Sequence, residues 1–265
     1  MEPNIPVGSA AGVANSMKRA VAGAEREQRE GASGKWVAHW KMVHIVRPVW
    51  ERAGEDNQLG RAFPRLTYTA ADRDGLTRLE PAPRTVRGAR DLLSVALQYG
   101  NAFGRGLQAA ALKPADSFGN DDVLYLMEDM ATGEIRLSIL WEWLHKHATL
   151  TEDDASGAKA GDTFDADRFR RLLAEEYEKL QRASNRDVHD VSKQTTLPIA
   201  REIVETYVLA DIKLPWYIDL LNINLDNYDL GEARRRIRLL TDAFRKDGTR
   251  VTRNLDFEKA ASIPL

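Results

Sequence analysis

The sequence predicts a mainly α-helical fold with a small α/β part near its start, on three observations. Apolar residues recur at helical spacing through several long stretches, most of them after residue 84. Two short extended segments, residues 3–8 and 34–39, flank a single helical run. Gly31 and Gly54 follow helical patterns, where a helix needs a stop.

The first helix is expected over residues 10–30, ending in the charged run Glu25, Arg26, Glu27, Arg29 and Glu30. Residues 34–39 read as a short buried strand, and residues 42–52 as a second helix. Residues 55–83 carry Pro64, Pro81 and Pro83 and read as loop, with room for two short strands. A long helical pattern opens at residue 85 and runs to about residue 111, with Leu92, Leu93, Val95, Ala96 and Tyr99 on its apolar side. Gly100, Gly104 and Gly106 weaken its second half. A polar turn region, residues 114–122, follows. The next helix is expected over residues 132–146, with Ile135, Ile139, Leu140 and Trp143 on one face. Residues 151–164 read as an exposed loop or linker. Three further helices are expected near residues 165–184, 195–211 and 229–246. There is no internal repeat. A strand–helix–strand opening cannot close a parallel sheet alone, so it reads as a piece of βα architecture joined to a helical domain.

Composition narrows the function classes. A net charge of −2 gives no general attraction to nucleic acid. No apolar run is long enough to cross a bilayer, and the first residues lack the basic-then-apolar layout of a signal peptide. With no cysteine, disulfides, thiolate catalysis and cysteine zinc sites are excluded. A cytoplasmic enzyme or subunit, without nucleic-acid or membrane partners, is the expectation.

The most informative stretch is Met127-Glu128-Asp129-Met130-Ala131-Thr132. It sets two carboxylates at the end of an apolar segment, Val123, Leu124, Tyr125, Leu126 and Met127, just before a helical pattern. A buried carboxylate must be paired or have a raised pKa, which makes it a candidate general base. The plainer reading gives either acid a helix-dipole contact or a salt bridge. Other clusters carry less. His145 and His147 are two apart and do not share a helix face, so they read as a solvated helix end. His44 and His189 have no partner pattern. Arg234, Arg235, Arg236 and Arg238 either contact phosphates or form the solvated face of an amphipathic helix. The glycines at 100, 104 and 106 follow no strand and are not a phosphate loop.

The motif resembles the Met-Glu-Asp-x-Ala-Thr-x-x-Ile segment of malate synthases. Other segments match in the same order. Met1-Glu2-Pro3-Asn4-Ile5-Pro6-Val7 resembles the family's Met-x-x-Gln-Ile-Pro-Ile. Gly34-Lys35-Trp36-Val37-Ala38-His39 is similar to its Gly-Thr-Trp-Val-Ala-His-Pro, with Trp40 in place of the proline. Asn57-Gln58-Leu59 matches Pro-Asn-Gln-Leu, and Thr85-Val86-Arg87-Gly88 resembles the opening of the C-terminal helical domain. Leu140-Trp141-Glu142-Trp143 is similar to Leu-Trp-Gln-Trp, and Leu214-Pro215-Trp216-Tyr217 to a late Leu-Pro-x-Tyr element. Phe118 to Asp122 replace a Gly-Cys-Val-Pro segment.

The resemblance implies the last strands of a (β/α)8 TIM barrel, two βα units in residues 1–55. A connecting loop region, 56–83, and the C-terminal helical domain, 84–265, follow. It implies the condensation of acetyl-CoA with glyoxylate, then hydrolysis of malyl-CoA to malate. By resemblance Asp129 is the catalytic carboxylate, which takes a proton from the acetyl methyl group. Trp36 lines the glyoxylate pocket, serves as an aromatic core anchor at a strand end, or does both. His39 contacts substrate or coenzyme, unless it is a satisfied core histidine. Glu128 is the rival carboxylate or a substrate-binding neighbour. Mg2+ is the implied cofactor. The family's metal ligands and its enolate-stabilising Arg lie upstream of every matched segment, so no residue here takes those roles. The expected partners are acetyl-CoA, glyoxylate, and an N-terminal malate synthase part or a second copy of this chain. A non-catalytic protein that binds coenzyme A or another protein is the alternative. A citrate-lyase-beta type of lyase is a third, and the helical domain bearing the motif counts against it.

Overall fold

The computed structural model describes residues 1–54, 56–78, 80–182, 196–214 and 230–247. His189 and the Pro215-Trp216-Tyr217 element lie outside the described residues. The chain divides into two compact units: Met1–Pro83 with Asp121–Leu126, and Arg84–Asn120 with Met127–Leu265.

In the first unit, helix α1 (Ala10–Arg29) starts where the Ser9 hydroxyl accepts the Gly12 N–H at 3.0 Å. It packs on α2 (Val43–Glu51) through Ala20, Ala24, Met42, Val46 and Val49. Gln58 fastens the next segment to the end of α1, its amide donating to the carbonyls of Gln28 and Ala32 at 2.7 and 2.6 Å. The Asn57-Gln58-Leu59 element therefore has a packing role visible in the structure. The Trp50 indole N–H also reaches the Ala32 carbonyl, at 2.7 Å.

The expected strands of this unit contract to single bridges. Glu2 pairs in parallel with Val37, and Asn4 pairs antiparallel with Leu126. The expected buried strand at 34–39 is corrected accordingly. Trp36 is 67% exposed, whereas its neighbour Val37 packs against the α1–α2 core. Alternation across an extended backbone turns one of two successive side chains outward. No strand occurs among the described residues of 55–83, which hold a 3-10 turn, Ala70–Asp72, and the short α3 (Arg73–Thr77).

In the second unit, α4 (Val86–Gly104) is the central element. Thr85 caps it, its hydroxyl accepting the Gly88 N–H at 2.8 Å. It contacts β1 (Ala109–Leu112), α5 (Met130–His145), α6 (Ala166–Gln181) and α7 (Leu197–Leu209). Its residues are accordingly buried on nearly every side, Leu93, Ala96, Leu97 and Tyr99 completely. The strand β2 (Leu126–Asp129) pairs with β1, and α8 (Leu230–Asp247) packs on α7. Among the described residues no helix is long and apolar enough to cross a membrane.

The expected helix through residue 111 stops at Gly104. Gly106 adopts φ +85, its N–H bonds to the Phe103 carbonyl at 2.8 Å, and Leu107 N–H bonds to Ala102 at 3.0 Å. That pair of bonds around a left-handed residue is a Schellman stop, and it frees residues 109–112 to become β1. Gly100 has a different task. A Cβ there would meet the Cβ of Ala200 at 3.1 Å, so the glycine sets the close approach of α4 and α7.

Two further corrections concern α5 and the segment after it. Ile135 is 57% exposed, and the inward residues are Gly133, Leu137 and Leu140. Of the expected face, Leu140 is buried and Trp143 packs on the core, but Ile135 is not inward; the helix is apolar on most sides, so periodicity alone did not separate Ile135 from Leu137. Of the two readings of residues 151–164, the exposed loop holds, since most of its residues are exposed, and the linker does not, because the loop is anchored at both ends. Thr149 bridges Thr163, Leu150 and Phe164 are buried in the core, and the Trp143 ring meets Phe164 edge-on at 5.6 Å. Its carboxylates serve its own backbone. Asp162 accepts the Lys159 N–H at 3.0 Å and the Arg168 guanidinium at 2.9 Å, which together hold its carboxyl below the ordinary range.

Two outcomes are expected. Gly100→Leu should destabilise the second unit by about 1–3 kcal/mol through overpacking against α7, read by denaturant unfolding. For Asp162, a carboxyl held lower in the folded than the unfolded chain stabilises the fold when ionised. The contribution is complete above the ordinary value of 3.8 and is lost as pH falls through the folded value. Asp162→Asn should therefore lower the melting temperature at neutral pH. The gap to the unmodified chain should close in acid.

Candidate active site

Asp129 ends β2 and is the N-cap of α5. Its backbone is extended, with φ −128 and ψ −174, as an N-cap residue requires. Two reciprocal bonds fix it. The Thr132 N–H donates to Asp129 Oδ1 at 3.1 Å, and the Asp129 N–H donates to Thr132 Oγ1 at 2.8 Å. Thr132 thus takes the place usually held by Glu or Gln in a capping box. The arrangement explains why Asp and Thr stand three apart in the motif. Oδ2 has no hydrogen-bond partner among the described residues.

Exposed apolar side chains follow this carboxylate in the sequence. Met130 and Ile135 are the exposed apolar residues of the first turns of α5, at 38% and 57%. Tyr99 is fully buried on α4, its hydroxyl donating to the Gln108 carbonyl at 2.9 Å. Burial first, and the charge of Asp129 second, push the Tyr99 phenol up to about 12. A negative charge at Asp129 is thus felt inside the core.

Glu128, one residue earlier, is 5% exposed and lies 2.7 Å from Arg136 Nη2. Arg136 Nη1 is also 3.6 Å from Asp91 Oδ2 on α4. Burial is the main cause that raises the Asp91 carboxyl, and the charges of Glu128 and Asp116 add to it. Sequence reasoning missed Arg136. The available signal was a guanidinium between Ile135 and Leu137. Asp91 also lines a cleft of about 670 Å³ together with Arg87, Arg90, Asp116, Glu176 and Lys179. Its cations are largely engaged, Arg90 by Glu175 and Glu176 and Lys179 by Glu176. Asp129 does not line it.

Trp36 and His39 belong to the first unit. Trp36 is exposed, so it is not a core anchor of that unit. His39 is half-buried, and its Nδ1 accepts the Lys41 N–H at 3.2 Å. Its ring stacks on Trp40 at 5.8 Å, and Lys41 lies over the same indole.

The remaining candidates have structural places. His145 stacks on Trp141 at 4.5 Å and its Nε2 is 3.1 Å from the Val208 carbonyl, so it is partly buried rather than solvated. His147 is the left-handed residue (φ 50) of a second Schellman stop, with bonds from His147 to Leu144 and from Ala148 to Trp143. Arg234 is paired with Glu202 at 2.8 Å. Among the described residues no three histidine, aspartate or glutamate side chains converge to hold a metal ion.

Comparison with known proteins gives this junction its context. A family model described as "Malate synthase, C-terminal" matches residues 84–217, half of the chain. The chain belongs to the malate synthase family. It is 30% identical over 211 residues to a malate synthase of Myxococcus xanthus, covering 79% of this chain and 33% of that protein. It is 31% identical over 185 residues to the bifunctional glyoxylate cycle protein of Caenorhabditis elegans, covering 69% of this chain and 16% of that one. A glyoxysomal malate synthase of Zea mays is 31% identical over 158 residues, covering 59% and 25% respectively. The chain spans a third or less of the length of these curated relatives. The matched region contains α4, the β1–β2 pair, α5, α6 and α7, and with them the Asp129 junction.

Two stability outcomes follow from the caps. Asp129→Ala should cost about 1 kcal/mol, while Asp129→Asn, an equally good N-cap, should cost little. His147→Gly should stabilise the second unit by about 1 kcal/mol, because glycine carries no left-handed penalty. Thermal unfolding of the three variants checks both.

Proposed function

We propose that this chain supplies the reactive carboxylate of a malate synthase-like reaction, in which the methyl carbon of acetyl-CoA is joined to glyoxylate and water then hydrolyses the thioester of the product, releasing malate and CoA. Family membership supports the reaction class. The observation that carries the residue assignment is the geometry of Asp129. One carboxylate oxygen is anchored in the capping box, and the other is without a partner among the described residues. A general base needs such an oxygen, held in a defined direction and able to accept.

In this reading Asp129 Oδ2 accepts a proton from the acetyl methyl group, and the resulting enolate attacks the aldehyde carbon of glyoxylate. Met130 and Ile135 give the site an apolar border. By resemblance to the family, Trp36 is assigned to glyoxylate and His39 to substrate or coenzyme. Glu128 is given no direct part in the chemistry. Magnesium, when bound, polarises glyoxylate and offsets its charge. The described residues do not form a site that fits it, and no step is assigned through it. The enolate-stabilising Arg and the metal site are assigned to barrel strands outside the matched segments. The first unit is read as the last strands of that (β/α)8 barrel. The parallel Glu2–Val37 bridge across α1 supports this, since a parallel pair joined through a helix is the repeating unit of such a barrel. The proposed compartment is the cytoplasm.

The test is glyoxylate-dependent release of free CoA from acetyl-CoA with magnesium. It is run on the chain alone and with an N-terminal malate synthase part. Release is expected with the added part, and Asp129→Asn should lower it by about 100-fold or more while leaving the fold intact. Undiminished release from that variant would remove Asp129 from the chemistry. No release in either setting would favour the non-catalytic reading.

A further inference from the structure

We propose that Arg136 is a positioning residue for Asp129, acting through Glu128. The inference rests on the reading of Asp129 as the reactive carboxylate, and it assigns a task to a charge that neither the motif nor the mechanism uses.

Glu128 is the peptide neighbour of Asp129 and lies at 5% exposure inside the second unit. A carboxylate in that place is costly unless it is paired. Its partner is eight residues later in the chain. Side chains of a helix lean toward its N-terminus, so Arg136, two turns into α5, reaches back over the first turn to the strand that feeds it. Its Nη2 meets Glu128 at 2.7 Å. The strand end and the helix start are therefore tied at two points. One is the Asp129–Thr132 capping box, and the other is the Glu128–Arg136 ion pair. The first fixes Oδ1 of Asp129. The second fixes the peptide that joins residues 128 and 129, and so the direction in which Oδ2 points.

The guanidinium is not placed for its own comfort. Its Nε is buried without a hydrogen-bond partner among the described residues, and Nη1 is shared at 3.6 Å with Asp91 of α4. One cation thus references the junction to β2 and to the central helix together. An apolar pair of similar volume fills such a space at equal or better stability. What an apolar pair lacks is direction, which bonded charges supply.

The experiment uses the full chain and four variants: Arg136→Met, Arg136→Lys, Glu128→Gln/Arg136→Met and Asp129→Asn. Turnover is read in the assay above. Hydrogen exchange is read at the Asp129 and Thr132 amides, which donate within the capping box. Arg136→Met should lower kcat by about 100-fold, the effect of a displacement near 1 Å, with KM nearly unchanged. Arg136→Lys should recover part of the loss. The double variant leaves no unpaired buried charge, so it should fold even where Arg136→Met does not. It should still show the low kcat and faster exchange at both amides. A double variant with unmodified kcat and unmodified exchange would overturn the proposal. If the unmodified chain and Asp129→Asn are equally inactive, the reading of Asp129 fails. The exchange rates then decide by themselves whether Arg136 holds the junction.

Discussion

The reciprocal bonding of Asp129 and Thr132 is the constraint on which the second unit turns. A strand must end and a helix begin within one residue, and the first turn of any helix has N–H groups with no partner of their own. The sequence answers with a short acid at the last strand position and a threonine three residues on. The same two side chains that satisfy the backbone also decide which carboxylate oxygen is engaged and which is left to accept. Structure and candidate chemistry thus draw on one local interaction. It is sustained by α4, whose burial on nearly every side makes it the surface on which β1, α5, α6 and α7 assemble.

Charge in this unit is handled by sharing. Arg136 faces both Glu128 and Asp91, Arg90 faces Glu175 and Glu176, and Lys179 joins the same Glu176. Tyr207, fully buried on α7, hydrogen-bonds Glu134 and Lys213, and burial is the first cause that raises its phenol. Buried carboxylates are therefore met by a guanidinium, an ammonium or a phenol. Asp129 differs from them. It is half-buried, and its interactions are with a backbone amide and a hydroxyl rather than a cation.

Much of this was legible in the residues, for stated reasons. The helices α1, α2, α6, α7 and α8 follow apolar periodicity within a few residues of their observed ends. The Met-Glu-Asp-x-Ala-Thr order drew attention to the strand–helix junction through its resemblance to the family motif, whereas the cap formed by Asp129 and Thr132 was seen only in the structure. Three further features were not legible. Gly106 ends α4 early, and glycines at 100 and 104 inside the helix hid which one was the stop. The inward face of α5 was misread at Ile135, because Ile135 and Leu137 are equally apolar, and only packing on α4 and α7 separates them. The pairing of Glu128 with Arg136 spans eight residues and depends on the strand–helix angle, which spacing does not encode. The barrel relation of the first unit came from resemblance, and its strands reduce to the bridges at Glu2 and Asn4.

The most direct measurement of the central claim is deuterium incorporation into the methyl group of acetyl-CoA in heavy water, followed by mass spectrometry. It isolates proton removal from condensation and hydrolysis. It is run with the full chain and an N-terminal malate synthase part, beside Asp129→Asn, with acetyl-CoA binding measured in both. The account predicts label in the methyl group with the unmodified chain, and none with the variant although it still binds acetyl-CoA. Equal labelling by the two proteins would contradict it, and would place proton removal on a residue other than Asp129.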